Sequence, residues 1–270
     1  MRNNKIKMGI IMCGIWALSA CDQKTQSPVD QTTQAKTQQS AEVLPYLNIQ
    51  ENKAQYALPF CEKKNCIDID IQTINTQDQW INDWVSKNQA NVIQNQINLK
   101  QNLSLQEAIN AYVKKSDEWQ KLFNKNKPYE LALTTKVVSA RNQFVLLQIS
   151  VNSKQEDVTV KDRQYFFVAD RRLKKGLGIL DVIQTDKQTQ MNEIIQENYK
   201  KWLKEQSAES RKNAPKKLFW GQAEWFFDTE GVGLHFRPND IVKDGTQLDI
   251  YLSKAETLRV LKPEIFQKMF

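Results

Sequence analysis

The sequence predicts an α+β fold in which an antiparallel β-sheet carries helices packed on one face. Apolar residues recur at every second position in several stretches, and this period is typical of strands with one buried side. Longer stretches with helical spacing separate these strand patterns into groups. Two of the strand patterns are joined by a turn of two residues, a connection that antiparallel neighbours allow and parallel neighbours do not.

The N-terminal part of the folded region is predicted to contain extended segments followed by two helices. Apolar and polar residues alternate over residues 67–71. Residues 77–99 then show apolar side chains at helical spacing, without an interrupting proline or glycine. A second helix is predicted to begin at Ser104, because Glu107 three positions later completes a capping-box signature.

From residue 128 onward, strands are predicted on both sides of one long helix. Residues 129–140 and 143–151 are expected to form a hairpin around Arg141 and Asn142. A polar, basic loop is expected over residues 207–217. The other predicted elements are the strand 164–169, the helix 187–205, the strands 219–227, 232–236 and 248–252, and a short helix 255–261.

The first twenty residues have the three parts of an export signal. Arg2, Lys5 and Lys7 form a basic start, an apolar run covers residues 8–17, and small residues precede position 21. The apolar run is shorter than the roughly 20 residues that a membrane-spanning helix needs. Residues 1–20 are therefore predicted to be a signal peptide that is removed.

Residues 18–21 read Leu-Ser-Ala-Cys and resemble the lipobox of bacterial lipoproteins. The resemblance implies acylation of Cys21 and anchoring in a membrane of the cell envelope, with the folded part facing the periplasm. Asp22 resembles the signal that keeps enteric lipoproteins in the inner membrane, which favours that membrane. Residues 21–42 are polar and poor in apolar side chains, so they are predicted to form a flexible stalk.

Beyond the stalk, the sequence is divided near Pro128 into two regions. Residues 43–127 form a predicted N-terminal α+β region with two helices, and residues 128–270 form a C-terminal α+β region. They can be one domain or two closely packed lobes. The formal charge of +7 falls to +4 once residues 1–20 are removed. A charge so small and dispersed does not favour a nucleic-acid partner.

Few residues in the sequence offer catalytic or metal-binding chemistry. His235 is the single histidine, which excludes most histidine-centred triads and multi-histidine metal sites. Cys61 and Cys66 are close neighbours in the sequence and are expected to form a disulfide in an oxidising periplasm. We therefore expect a protein that is not an enzyme and that uses no metal and no cofactor.

The candidate ligand-binding residues lie in an aromatic and acidic stretch near the C-terminus. Alternation along residues 219–227 places Trp225 and Phe227 on one side and Trp220 and Phe226 on the other, so at least one pair is expected in the core. The stretch continues into an acidic turn and a polar loop over residues 238–245. From this stretch we select Trp225, Asp228, Glu230, Asn239 and Asp240.

The C-terminal region is similar to the extracytoplasmic domain of RsiV-type anti-sigma factors. The most specific part is residues 226–253, where Asp-Thr-Glu-Gly at 228–231 precedes alternating apolar residues and Pro238. The resemblance implies a non-catalytic receptor domain that, in RsiV, recognises lysozyme. Residues 152–157 depart from the family, which often carries a Gly-Gly-Ala-His stretch there.

The leading hypothesis is a non-catalytic binding or sensing lipoprotein of the cell envelope, whose ligand is lysozyme, peptidoglycan or an envelope protein. One alternative is an envelope hydrolase that uses carboxylates, which would require a cleft with converging acidic groups of perturbed pKa. The other is a structural partner of a membrane complex, which would expose a large apolar surface patch.

Overall fold

The computed structural model describes residues 44–61, 66–123 and 128–270, and residues 43–270 belong to one compact unit. It confirms the predicted α+β fold with a largely antiparallel sheet. The predicted signal peptide, the lipidation site Cys21, Asp22 and the stalk lie outside the described residues. Within the described ranges, no helix is both long and apolar enough to cross a membrane.

Nine strands form two sheets in the part of the chain that the structure describes. The larger sheet has the order β1 (Gln50–Lys53), β2 (Asp68–Asn75), β3 (Glu130–Arg141), β4 (Phe144–Gln155), β5 (Val158–Asp170) and β6 (Lys175–Leu177). The smaller sheet contains β7 (Glu224–Phe227), β8 (Gly231–Phe236) and β9 (Leu248–Ser253). The helices are α1 (Gln79–Asn95), α2 (Leu105–Phe123), α3 (Ile179–Val182), α4 (Gln188–Glu205), α5 (Ala208–Asn213), α6 (Lys254–Val260) and α7 (Pro263–Met269).

The pairing of β2 with β3 is the parallel exception in the larger sheet. These strands are separated in sequence by α1 and α2, and a parallel pair needs a long crossover connection of this kind. The pairing also joins residues on both sides of position 128 into a single sheet. The predicted hairpin between β3 and β4 is confirmed, and Asn142 in its turn has a positive φ of 51°, which asparagine tolerates well.

The first part of strand β4, residues 144–147, is buried on both faces, between two hydrophobic cores. Val145, Leu147 and Ile149 pack with α1 and α2 in one core. Phe144 and Leu146 point the other way, into a second core that contains α4 and the inner side of the smaller sheet. The larger sheet thus has α1 and α2 on one face and the smaller sheet on part of the opposite face.

Local capping signals place several helix ends. Ser104 and Glu107 form the predicted capping box, because the Glu107 carboxylate accepts from the Ser104 backbone N–H at 2.8 Å and the Ser104 hydroxyl accepts from the Glu107 N–H at 3.3 Å. The predicted loop 207–217 instead contains helix α5. The Ser207 hydroxyl caps this helix by accepting from the Ser210 N–H at 3.0 Å.

The predicted disulfide between Cys61 and Cys66 is present. It closes a small loop just before β2, at the edge of the core that α1 and α2 cover. The bridge restricts the unfolded chain there, so it stabilises the entry into the larger sheet.

Candidate functional site

The smaller sheet has a clear division between an inner and an outer face. Trp225 on β7 is only 2% exposed, and it packs in the core with Phe227. The Trp225 indole N–H also donates to the Leu177 carbonyl at 2.8 Å. The selection of Trp225 as a ligand-binding residue is therefore corrected, because alternation along β7 turns this ring inward, away from any ligand at the surface.

The outer face of the smaller sheet carries the aromatic side chains that remain accessible. Phe226 on β7 stacks with Tyr251 on β9, with their ring centroids 6.4 Å apart, and Tyr251 is 40% exposed. The outer end of the Phe226 ring lies over Gly233 of the intervening strand β8. A β-carbon at position 233 would come within 2.0 Å of the Phe226 ring. Glycine at position 233 therefore leaves the space that the Phe226 ring occupies next to Tyr251.

Carboxylates surround the aromatic pair. Asp228 and Glu230 lie in the exposed β7–β8 turn, and Asp249 is exposed on β9, two residues before Tyr251. We call Phe226, Tyr251, Asp228, Glu230 and Asp249 the acidic-aromatic face. Two of the predicted ligand-binding residues, Asp228 and Glu230, belong to this face.

Asp228 organises the turn through its Oδ1 atom. This oxygen accepts hydrogen bonds from the backbone N–H groups of Glu230 at 2.7 Å and Gly231 at 3.1 Å, and from the Tyr251 hydroxyl. Partial burial alone would raise the pKa of Asp228, but these hydrogen bonds outweigh it and hold the pKa below its usual range. Burial and the hydrogen bond to Asp228 both raise the pKa of Tyr251. The turn therefore holds the charged Asp228 carboxylate next to the neutral Tyr251 hydroxyl group.

A row of three ionisable residues crosses the sheet at the other end of β8. Glu224, His235 and Asp249 are paired in register on β7, β8 and β9. His235 is buried, and its Nδ1 lies 2.6 Å from Asp249 Oδ1. Its Nε2 has no hydrogen-bond partner within the described residues. Phe166 of β5 packs edge-on against the imidazole, with the ring centroids 5.1 Å apart.

Glu224 has a raised pKa because burial disfavours its charged form, an effect that the Arg237 guanidinium partly offsets. A perturbed carboxyl of this kind is the feature that the hydrolase alternative requires. Both oxygens are engaged, however: Oε1 accepts from Arg237 at 2.9 Å and Oε2 accepts from the Phe166 N–H at 2.9 Å. Arg237 also stacks on the Tyr165 ring, 4.5 Å from its centroid. These contacts give Glu224 a structural role that ties β7 and β8 to β5.

Asn239 and Asp240 do not join the acidic-aromatic face. Asp240 pairs with Arg237 at 3.2 Å, and Asn239 closes its own loop by accepting from the Gly245 N–H at 3.0 Å. Both residues follow the end of β8, whereas the acidic turn precedes its start. The length of the strand separates them by roughly 20 Å. The predicted ligand-binding residues therefore fall into two separate places.

Two solved structures have folds similar to that of this chain over most of its length. A DUF3298 family protein from Pseudomonas aeruginosa PAO1 aligns over 82% of this chain and 97% of its own, with a TM-score of 0.60 and 16% identity. The fold is that of DUF3298 proteins. A DUF3298 member from Bacteroides fragilis NCTC 9343 aligns over 83% and 98%, with a TM-score of 0.54 and 13% identity.

The DUF3298 fold agrees with the resemblance that the sequence suggested, because DUF3298 proteins are related to RsiV-type extracytoplasmic domains. At these low identities, the likeness concerns the fold alone. No family model and no curated protein sequence matches this chain significantly.

Asp249 and Tyr251 were not predicted as site residues from the sequence, although a signal for both was present. Strand β9 alternates between buried and exposed positions, and its polar side carries these two residues. Phe226 was grouped only with the aromatic cluster. Its role depends on Gly233 across the sheet, a contact that alternation within one strand does not reveal.

Proposed function

We propose that this chain is a membrane-anchored lipoprotein of the cell envelope and that its folded part is a non-catalytic module that binds a basic protein. The acidic-aromatic face supports this proposal more than any other feature. Three exposed carboxylates, Asp228, Glu230 and Asp249, surround two stacked rings on a rigid antiparallel sheet. Aromatic rings combined with fixed charges are typical of protein recognition surfaces.

The local charge of this face opposes the charge of the whole chain. The protein without residues 1–20 has a formal charge of +4, so long-range steering would not attract a basic partner. Charges are screened beyond about 8 Å at physiological salt, so the carboxylates within the face dominate once the partner is in contact. Binding should therefore weaken as salt concentration rises.

Lysozyme is the first candidate ligand, because of the resemblance to RsiV-type domains and because vertebrate-type lysozymes are basic. The test is calorimetric titration of lipid-free residues 43–270 with lysozyme. We expect the double variant Asp228→Asn/Glu230→Gln to bind about tenfold more weakly, because it removes two charges from the face. Both substitutions keep the shape of the side chains.

A matched control removes the same charge elsewhere. Asp186→Asn/Glu193→Gln alters two exposed carboxylates near and on α4, and we expect its affinity to stay within about twofold of the wild type. Equal weakening by both double variants would refute the proposed site. Heat released on titration with soluble peptidoglycan fragments, but not with lysozyme, would identify peptidoglycan as the ligand instead. Hydrolysis of such a fragment would overturn the non-catalytic role.

The membrane anchor is tested independently of the ligand. Replacing Cys21 with Ala should move the protein from the membrane fraction to the soluble fraction, because acyl chains cannot be attached to alanine. Immunoblots of separated fractions measure the change. Replacing Ser19 with Ala, which retains a small residue at that position, serves as the control. Tight membrane attachment of the Cys21→Ala protein would contradict the lipoprotein assignment.

A further inference from the structure

A cleft of about 400 Å³ lies beside the acidic-aromatic face, between the β3–β4 hairpin and the β7–β8 turn. One wall is an irregularity in β3, where the register with β4 shifts between Val137 and Ser139. The residue at this shift, Val138, is 46% exposed and lines the cleft. Such bulges commonly redirect side chains next to binding sites.

The interior of the cleft is aromatic and apolar. Phe166 of β5 and Phe226 of β7 line it with their ring centroids 5.2 Å apart, and buried Leu146 contributes to the same lining. The Phe226 ring occupies the space that a side chain at position 233 would fill, so Gly233 sets the position of this ring in the cleft. Concave sites with apolar linings and a few polar groups are typical places for small ligands or single side chains to bind.

Two groups of opposite charge line the same cleft. Arg141 is half-buried, and its positive charge helps to lower the pKa of the nearby Asp228 carboxylate, but its guanidinium donates no hydrogen bond to any residue that the structure describes. A guanidinium next to apolar surface is well suited to bind a carboxylate through two parallel hydrogen bonds. Asp228 uses Oδ1 for the turn, and its Oδ2 accepts no hydrogen bond from any described residue.

We propose that this cleft binds a carboxylate-terminated apolar amino-acid unit. Arg141 takes the α-carboxylate, Asp228 Oδ2 accepts the N–H of the α-nitrogen, and the side chain packs against Phe166 and Phe226. A free amino acid and the C-terminal residue of a peptide share this chemistry. The proposal does not rest on the protein-binding role of the neighbouring face, with which it shares Asp228 and Phe226.

Ligand-observed NMR titration of lipid-free residues 43–270 tests the carboxylate first. N-acetyl-L-phenylalanine should bind at least about tenfold more tightly than N-acetyl-L-phenylalaninamide, because the amide lacks the charge that Arg141 recognises. Equal binding of the two probes, or no binding of either at millimolar concentrations, would overturn the proposal.

Two further probes identify the source of the ligand. If the natural ligand is a free amino acid, L-phenylalanine should bind more tightly than its N-acetyl form, because an ammonium pairs with Asp228. If it is a peptide end, N-acetyl-glycyl-L-phenylalanine should bind most tightly.

Substitutions test which residues cause the preference for the carboxylate probe over the amide probe. Arg141→Gln should weaken binding of N-acetyl-L-phenylalanine at least about tenfold and remove the preference for acid over amide. Arg259→Gln, which alters an exposed arginine on α6, should leave both unchanged. Phe226→Leu retains Arg141 and should weaken the acid and the amide by the same factor, so it tests the apolar contact even if Arg141→Gln folds poorly.

The two binding proposals can fail separately. Glu230→Gln belongs to the acidic-aromatic face and not to the cleft, so it should reduce lysozyme binding without changing amino-acid binding. Arg141→Gln should have the reverse effect. Loss of amino-acid binding in Glu230→Gln, with Arg141→Gln unaffected, would place the ligand outside the cleft and overturn the proposal.

Discussion

Replacing Arg237 with Met should lower the free energy of unfolding by about 3 kcal/mol at neutral pH. The substitution leaves the Glu224 carboxylate buried without its cation, which is the costly way to break a buried ion pair. The lower end of the usual range applies, because the Arg237 and Glu224 side chains are still 24% and 19% exposed. Denaturant unfolding of lipid-free residues 43–270 measures the loss.

The size of this loss should depend on pH. Burial raises the pKa of Glu224 in the folded protein, and without Arg237 the pKa rises further. The folded state then favours the protonated carboxyl, so its stability is retained below the ordinary pKa of a glutamate and falls as pH rises through the raised value. The deficit of Arg237→Met relative to wild type should therefore shrink at acidic pH.

A double variant separates charge from packing. Glu224→Gln/Arg237→Met removes both charges and should recover part of the lost stability at neutral pH. Its loss of unfolding free energy relative to wild type should no longer change between acidic and neutral pH. An unchanged deficit in the double variant would mean that the loss comes from the stacking of Arg237 on Tyr165 instead. Because methionine retains much of the apolar stem of the arginine, both variants mainly report the loss of the guanidinium.

Local signals in the sequence predicted much of the fold. The capping box at Ser104 and the hairpin turn at Asn142 depend on neighbouring residues, and both are present. The parallel pairing of β2 with β3 was not predicted, because it joins strands separated by two helices. Strand β4 did contain a signal: residues 144–147 are all apolar and all buried, as expected for a strand covered on both faces.

The candidate site was predicted only in part, for a similar reason. The alternating pattern correctly placed Trp225 and Phe226 on opposite faces of β7. Which of these faces turns toward the core is decided by how the smaller sheet packs on the larger one, and the pattern does not show this. The acidic turn at Asp228 and Glu230 was found from its position between two strand patterns. Asn239 and Asp240 are near it in sequence but lie beyond the other end of β8, because the strand runs between them.

Gly231→Ala should destabilise the protein by about 2 to 3 kcal/mol, because the position has no room for a methyl group. An added β-carbon would lie 2.0 Å from the Leu252 carbonyl oxygen on β9 and 3.0 Å from Thr257 Oγ1 on α6. Thr257 Oγ1 accepts from the Val232 N–H and donates to the Leu252 carbonyl, both at 3.2 Å, so the methyl group would disturb a buried link between β8, β9 and α6.

Gly178→Ala is the matched control for this prediction. Its added β-carbon would have its nearest neighbour, Asp181 Oδ2, at 3.6 Å, and its φ of −78° suits any residue. We expect it to cost less than about 1 kcal/mol, as for the loss of a glycine from the start of a short helix. Because Gly231 follows the acidic turn directly, Gly231→Ala should also weaken lysozyme binding under conditions where the protein is still folded. Equal unfolding free energies for the two alanine variants would show that β9 and α6 move aside freely, and the rigid sheet that supports the acidic-aromatic face would then be the wrong description.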